Sequence, residues 1–109
     1  MNLKRVLIFG ATGGLGTELC LKYLKNNYHV MGTSTSVIKI KNAKKKLNKL
    51  KLPNVIWQKC DFKKESEIRR TLKNFFKKVG HIDTIIICPG FPRVVEIEDL
   101  LIDYKDLTS

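Results

Sequence analysis

The sequence is poor in the features that mark several protein classes. Its three cysteines, Cys20, Cys60 and Cys88, are far apart and form no Cys-x-x-Cys pair. A disulfide framework and a structural zinc site both need paired or clustered thiols. Buried, reduced thiols in a cytosolic protein are the reading that remains, so a cytoplasmic location is expected. Seven glycines and three prolines are too few for a collagen-like chain. No apolar run approaches the roughly 20 residues that cross a bilayer; the longest lie at Val6–Ala11 and Thr84–Cys88, so no membrane partner is expected. Lys4-Arg5 followed by Val6-Leu7-Ile8-Phe9 mimics the start of a signal peptide. Its apolar part ends within about six residues and runs into glycines rather than a cleavage site. No HExxH, Ser-His-Asp or paired-carboxylate arrangement is present. His29 and His81 flank strands and read as surface or strand-edge residues.

Acidic residues are scarce as well. Ten Asp and Glu face 21 Lys and Arg, for a net charge of +11, and no carboxylate occurs between Glu18 and Asp61. Lysine supplies most of the positive charge and is densest in Lys39–Lys51. A nucleic-acid surface would mix in arginine and aromatic residues. Here the arginines are Arg5, Arg69, Arg70 and Arg93, and no aromatic interrupts the lysine run. The run therefore reads as a solvated helix face, with nucleic acid not an expected partner. Attraction of a phosphorylated small ligand is the functional alternative.

With 109 residues, 43% of them hydrophobic, the chain is globular and amounts to one domain or part of one. Residues 4–9 form a short apolar run of the kind buried on both faces of a parallel sheet. A helix is expected over about Gly14–Asn26, with Leu15, Leu19, Cys20, Tyr23 and Leu24 on one face. Tyr28–Thr33 reads as a second strand and Ser34-Thr35-Ser36 as a capping turn. A lysine-rich helix follows over about Val37–Leu50, its stripe Ile40, Ala43, Leu47 and Leu50. Val55–Cys60 is the third strand. Glu65–Val79 is the third helix, with Ile68, Leu72, Phe75, Phe76 and Val79 inward and Gly80 ending it. Ile82–Cys88 is the fourth strand, and Glu96–Tyr104 suggests the start of a fourth helix or a loop. The order βαβαβαβ with short connections predicts an α/β doubly wound parallel sheet, Rossmann-like. The strand order would be 3-2-1-4.

The first strand feeds Gly10-Ala11-Thr12-Gly13-Gly14-Leu15-Gly16 and then a helix. This is the phosphate-binding arrangement of dinucleotide folds. Gly10 lets the chain turn off the strand, and Gly13 and Gly14 let the backbone approach a pyrophosphate. Gly16 lets the helix pack near the sheet. The helix N-terminus offers unpaired N–H groups and partial positive charge. A mononucleotide P-loop would need Lys-Ser/Thr after the last glycine, and Thr17-Glu18 stands there.

On these residues the chain resembles the short-chain dehydrogenase/reductase family. Gly10, Gly14 and Gly16 match the glycines of its Thr-Gly-x-x-x-Gly-x-Gly turn, with Phe9 in place of Thr. Gly10, Gly13 and Gly16 match the Gly-x-x-Gly-x-x-Gly turn of its extended branch equally well. Cys60-Asp61-Phe62 looks like the acidic-hydrophobic pair after the third strand, which in the family holds the adenine; a turn or helix cap is the structural alternative for Asp61. Asp83–Gly90 looks like the fourth strand with its Asn-Asn-Ala-Gly ending, of which only Gly90 is retained. The resemblance implies that Thr12 and Leu15, with the glycines, cradle the pyrophosphate. Thr33, Ser34 and Thr35 would meet the adenosine ribose, Asp61 and Phe62 would border adenine, and Gly90 would lie near the nicotinamide ribose.

A site that prefers NAD places an acid about 20 residues beyond the glycines. Here Thr33, Ser34 and Thr35 occupy that place, with Lys39 and Lys41 close behind, so NADP is expected over NAD. The family's chemistry uses a Ser and a Tyr-x-x-x-Lys pair, in which the lysine lowers the tyrosine's pKa. No Tyr-x-x-x-Lys occurs within these residues, and the family places it further on. The chain is therefore expected to be a single NAD(P)-binding domain over 1–109, the cofactor-binding half of an oxidoreductase. It reads as truncated, a fragment, or a piece of a split gene, and meets a small-molecule substrate only with a C-terminal half. A non-catalytic nucleotide-binding module and an extended-branch sugar-nucleotide epimerase or dehydratase are the alternatives. The fourth strand would then be a bare apolar edge, open to homo-oligomers.

Overall fold

The computed structural model describes residues 4–88, and the backbone of residues 93–96. Four parallel strands and three helices alternate: β1 (Arg5–Phe9), α1 (Gly14–Lys25), β2 (His29–Ser34), α2 (Val37–Lys49), β3 (Val55–Lys59), α3 (Glu65–Val79) and β4 (Thr84–Ile87). A further strand, β5 (Arg93–Glu96), follows. The sheet order is β3-β2-β1-β4-β5. The parallel order 3-2-1-4 and the helix limits agree with the sequence reading to within a residue or two.

β1 is the centre of the sheet because both its sides are apolar. Leu7 and Phe9 face one way and pack with Met31, Ile85 and the α3 residues Leu72, Phe75 and Val79. Val6 and Ile8 face the other way and pack with Val30, Ile86, the α1 residues Cys20 and Leu24, and Leu47 of α2. α1 and α2 thus cover one face and α3 the other. A strand covered on both faces must read as a continuous apolar run rather than an alternation.

The helix ends follow local chemistry. The Ser36 hydroxyl caps α2 by accepting from the Lys39 N–H at 3.2 Å. Gly80, at φ 82°, closes α3, where a residue with a Cβ would be strained. Two expected core positions turn outward. Leu15, in the first turn of α1, and Leu50, at the end of α2, are 44% and 51% exposed. Periodicity assigns them to the apolar face, but each sits at a helix end and belongs to neither core cluster.

One expectation is corrected. The far edge of β4 is not bare, because β5 pairs with it antiparallel, Thr84 opposite Glu96 and Ile87 opposite Arg93. The hydrogen bonds that an exposed fourth-strand edge would offer to another copy are taken within the chain. Glu96 belongs to this strand, and the remainder of the segment expected to start a fourth helix lies outside the described residues.

The turn after β1 is set by two glycines. Gly10 has φ 74°, and a Cβ there would lie 2.7 Å from the Cys88 carbonyl oxygen. A Cβ on Gly16 would overlap the Gly10 carbonyl and stand 2.9 Å from Ala11 Cα. α1 can therefore press its first turn against the end of β1 only without side chains at these positions. Gly16→Ala is expected to destabilise the fold by about 1–3 kcal/mol, since the obstructing atoms are backbone and cannot yield. A lower midpoint in urea denaturation checks this; an unchanged midpoint would sink the contact.

All three cysteines are free, with Cys20 and Cys60 buried. Burial, and secondarily the nearby Cys88, push the Cys20 thiol up to about 12 from 9.0. The native state holds this proton where the unfolded chain releases it. The associated stability is complete below about pH 9 and is lost as pH rises toward about 12. Alkaline unfolding of the wild type should therefore be steeper with pH than that of Cys20→Ala, by up to about 1.4 kcal/mol per pH unit.

Candidate functional site

The C-terminal ends of a parallel sheet gather the loops that leave it, so a crevice forms there. In this chain it is a cleft of about 290 Å³ lined from four segments. The turn after β1 contributes Gly10, Thr12 and Gly13, and the turn after β2 contributes Ser34, Thr35 and Lys39. Cys60, Asp61, Phe62 and Lys63 come from the end of β3, and Cys88 from the end of β4. A larger recess, about 810 Å³, opens at the opposite end of the sheet. It is lined by the starts of β2 and β3 and the residues before them, so the glycine turn is far from it.

A hydroxyl network sets the cleft's geometry. The Gly10 N–H donates to Thr33 Oγ1 at 3.3 Å, and the Ala11 N–H to the Thr33 carbonyl at 2.8 Å. Thr12 Oγ1 and Ser34 Oγ lie 2.7 Å apart, and Ser34 Oγ also accepts from the Ser36 N–H at 3.2 Å. These contacts join the β1 turn to the β2 turn. On the third wall, the Asp61 N–H donates to Glu67 Oε1 at 3.1 Å. Asp61 Oδ1 accepts from the Lys63 N–H at 3.0 Å, the side-chain turn expected of an aspartate in a loop. The Phe62 ring packs on Phe9, centroids 5.1 Å apart.

The start of α1 is unusual. Gly13 is its N-cap and makes no side-chain cap hydrogen bond, and the first turn carries no acidic residue. The N–H groups of a helix's first turn have no partner within the helix, and here the N-cap residue has no side chain to cap them. Nothing lies within 4 Å of a Cβ placed on Gly14, and the nearest atom to one on Gly13 is 3.8 Å away. Neither glycine has a positive φ. Unlike Gly10 and Gly16, these two are not required by the fold. Their missing side chains leave free space over a helix terminus with partial positive charge, which suits an anionic group.

The charge lining the cleft is mixed, two ammonium groups (Lys39 and Lys63) with the Asp61 carboxylate. The cleft thiols are neutral. Burial raises Cys88; it also raises Cys60, a shift partly opposed by a hydrogen bond with Thr71. Thiols held protonated are poor nucleophiles and poor metal ligands. Among the described residues no group of three His, Cys, Asp or Glu side chains could hold a metal ion.

Of the residues expected from sequence, Gly10, Thr12, Gly13, Ser34, Thr35, Asp61 and Phe62 meet in the cleft. Gly14 stands at the start of α1, and Leu15 there points outward. Gly16 is buried beneath the turn. Thr33 is only 1% exposed and its hydroxyl is turned back onto Gly10, so it holds the turn rather than lining the cleft. Gly90 lies outside the described residues. Lys63, Cys60 and Cys88 line the cleft and were not anticipated as site residues. The position of Lys63 two residues after Asp61 was the available signal, obscured by the abundance of lysine.

Comparison with known proteins agrees with this geometry. The sequence model of the short chain dehydrogenase family matches residues 4–105. An 11-beta-hydroxysteroid dehydrogenase B of Sesamum indicum is 27% identical over 86 residues, 79% of this chain and 24% of that protein. A farnesol dehydrogenase of Aedes aegypti is 27% identical over 94 residues, 86% of this chain and 38% of that protein. The chain thus spans well under half the length of these relatives. Among solved structures, menthone neomenthol reductase from Mentha piperita superposes with a TM-score of 0.75 at 18% identity, over 84% of this chain and 33% of that one. ElxO with NADP bound gives 0.70 at 31% identity, over 77% and 34%. A glycine turn pressed between β1 and α1, a 3-2-1-4 parallel sheet and a family match over nearly all its residues lead to one conclusion: the chain belongs to the short-chain dehydrogenase/reductase family of oxidoreductases.

Proposed function

We propose that residues 1–109 form the NADP(H)-binding portion of a cytoplasmic oxidoreductase that moves hydride between the nicotinamide and a carbonyl or alcohol. The observation that carries this reading is the pair Gly13 and Gly14. The fold does not need them bare, yet they border an uncapped helix terminus, where a pyrophosphate would accept the first-turn N–H groups. Thr12 and Ser34, held 2.7 Å apart, fix the distance between the pyrophosphate end and the ribose end of the cleft. Ser34 and Thr35 would meet the adenosine ribose, and Asp61 and Phe62 would border adenine. Gly90 would lie near the nicotinamide ribose.

Preference for NADP follows from what the second wall carries. Thr35 and Lys39 line it, and among the described residues no carboxylate stands on that wall to repel a 2′-phosphate. An ammonium group attracts a phosphate as a point charge. ElxO, 31% identical and solved with NADP bound, supports the same preference. The dinucleotide supplies hydride chemistry when bound; these residues bind and orient it. The second reading is a non-catalytic dinucleotide-binding module. Carbonyl reduction with NADPH, assayed on this chain together with a C-terminal half of the family, separates the two, since only the first predicts turnover.

Calorimetric titration should show NADPH binding more tightly than NADH; equal affinity, or tighter NADH, would refute the NADP preference. Gly14→Ala should leave the unfolding midpoint unchanged or slightly raised, because Ala is the better helix residue by up to about 1 kcal/mol. The same variant should weaken NADPH binding at least roughly tenfold, because its methyl group would fill the phosphate position. Lys39→Glu should weaken NADPH by roughly tenfold or more while changing NADH little, as expected for loss of one charge-assisted contact and gain of repulsion.

A further inference from the structure

The two helical layers differ sharply in charge. No carboxylate lies between Glu18 and Asp61, and every lysine from Lys22 to Lys59 is exposed. α1 and α2 share one face of the sheet, so these lysines form a single surface. Among the described residues the ion pairs are Lys64–Glu67, Arg69–Glu65, Arg70–Glu67 and His81–Asp83. All of them belong to α3, the residue before it, or the approach to β4, and none neutralises a lysine of α1 or α2.

This surface is also apolar in particular places. Ile40 and Leu47 are the buried residues of α2. Opposite them, Ile38, Lys41, Lys45 and Lys49 follow one another at helical spacing along the outer face. Ile38 is 71% exposed and Val37 50%. At the other end of α2, the exposed Leu50 adjoins Lys51 and Leu52. There the 810 Å³ recess opens, with Leu24, Leu52, Pro53 and Val55 in its lining. A lysine row that starts at an exposed isoleucine is complementary to a surface that is anionic outside and apolar just beneath. Lysine stems lie along such a boundary while their ammonium groups stay in water.

We propose that the α1–α2 face is a peripheral docking surface for an anionic lipid bilayer. α2 lies along the headgroups, with Ile38 entering the acyl boundary. Among the described residues no helix is long and apolar enough to cross a membrane. The cofactor cleft takes Lys39 from the same helix, but Ile38, Lys41, Lys45 and Lys49 do not line it, so the variants below test docking apart from dinucleotide binding. Nucleic acid is the competing polyanion. α2 carries neither arginine nor an aromatic residue, the groups that give bidentate and stacking contacts to nucleotides.

The test is sedimentation of the whole chain with vesicles of phosphatidylcholine alone and of phosphatidylcholine containing roughly 30% phosphatidylserine. Binding is expected only to the second, with release at about 0.5 M salt, where screening removes most of the attraction. Replacing Lys41, Lys45 and Lys49 together by Ala should weaken the partition by on the order of a hundredfold, with the unfolding midpoint unchanged. Ile38→Ser should weaken it further at constant charge and leave retention on poly-uridylate unaltered. No binding to anionic vesicles, equal binding to neutral ones, insensitivity to Ile38→Ser, or tighter binding to poly-uridylate than to vesicles would each overturn the proposal.

Discussion

The close contact of Gly16 with the Gly10 carbonyl and the Ala11 backbone holds the rest of this structure in place. It brings the N-terminus of α1 to the end of β1, which is the central strand of the five-stranded sheet. Beyond the strands themselves, the ladder continues into the loops. The Ala11 N–H donates to Thr33, the Cys60 N–H to Ser34 and the Cys88 N–H to Phe9, each at 2.8–2.9 Å. The strand ends are therefore in register, and the loops that leave them face one another across a narrow cleft. Loosening the α1–β1 contact would move the helix terminus away from the other three walls at once.

Below that contact, stability is a matter of short strands with both faces covered. Leu7 and Phe9 belong to one cluster and Val6 and Ile8 to the other, so β1 takes part in both halves of the core. Burying such side chains contributes roughly 1.5–3 kcal/mol each, and β1 places four within one five-residue strand. The outer strand β3 is only half-buried, and β5 covers the far edge of β4. The chain thus shields the apolar β4 edge by an antiparallel return, a device that needs no crossover helix.

Much of this was legible from residue order. The alternation of apolar runs with 3.6-residue periodicity located every parallel strand and helix, because burial on both faces and amphipathic packing leave local traces. The spacing Gly10, Gly13, Gly14, Gly16 identified the turn. Legibility failed where position in the layer overrides periodicity. Leu15 and Leu50 have the spacing of core residues, but each lies at a helix end and packs into neither core cluster. It failed also for β5, whose four residues are too short to signal a strand without the partner edge they cover. Thr33 was expected to meet the ribose with Ser34 and Thr35, yet its hydroxyl is turned inward onto Gly10.

By itself the sequence determined the element order, the parallel topology and the presence of an anion-ready helix start. These depend on local periodicity, on crossover length and on glycines within a few residues of one another. Only the tertiary structure decided which side chains share the cleft, that Lys63 joins Lys39 there, and that Gly13 and Gly14 are free of the fold's own demands while Gly10 and Gly16 are not. It also decided that the lysines of α1 and α2 lie on one face, apart from the carboxylates of α3. The reason is that side-chain neighbourhood in a parallel sheet is set by the register between strands distant in sequence, and no local pattern encodes that register.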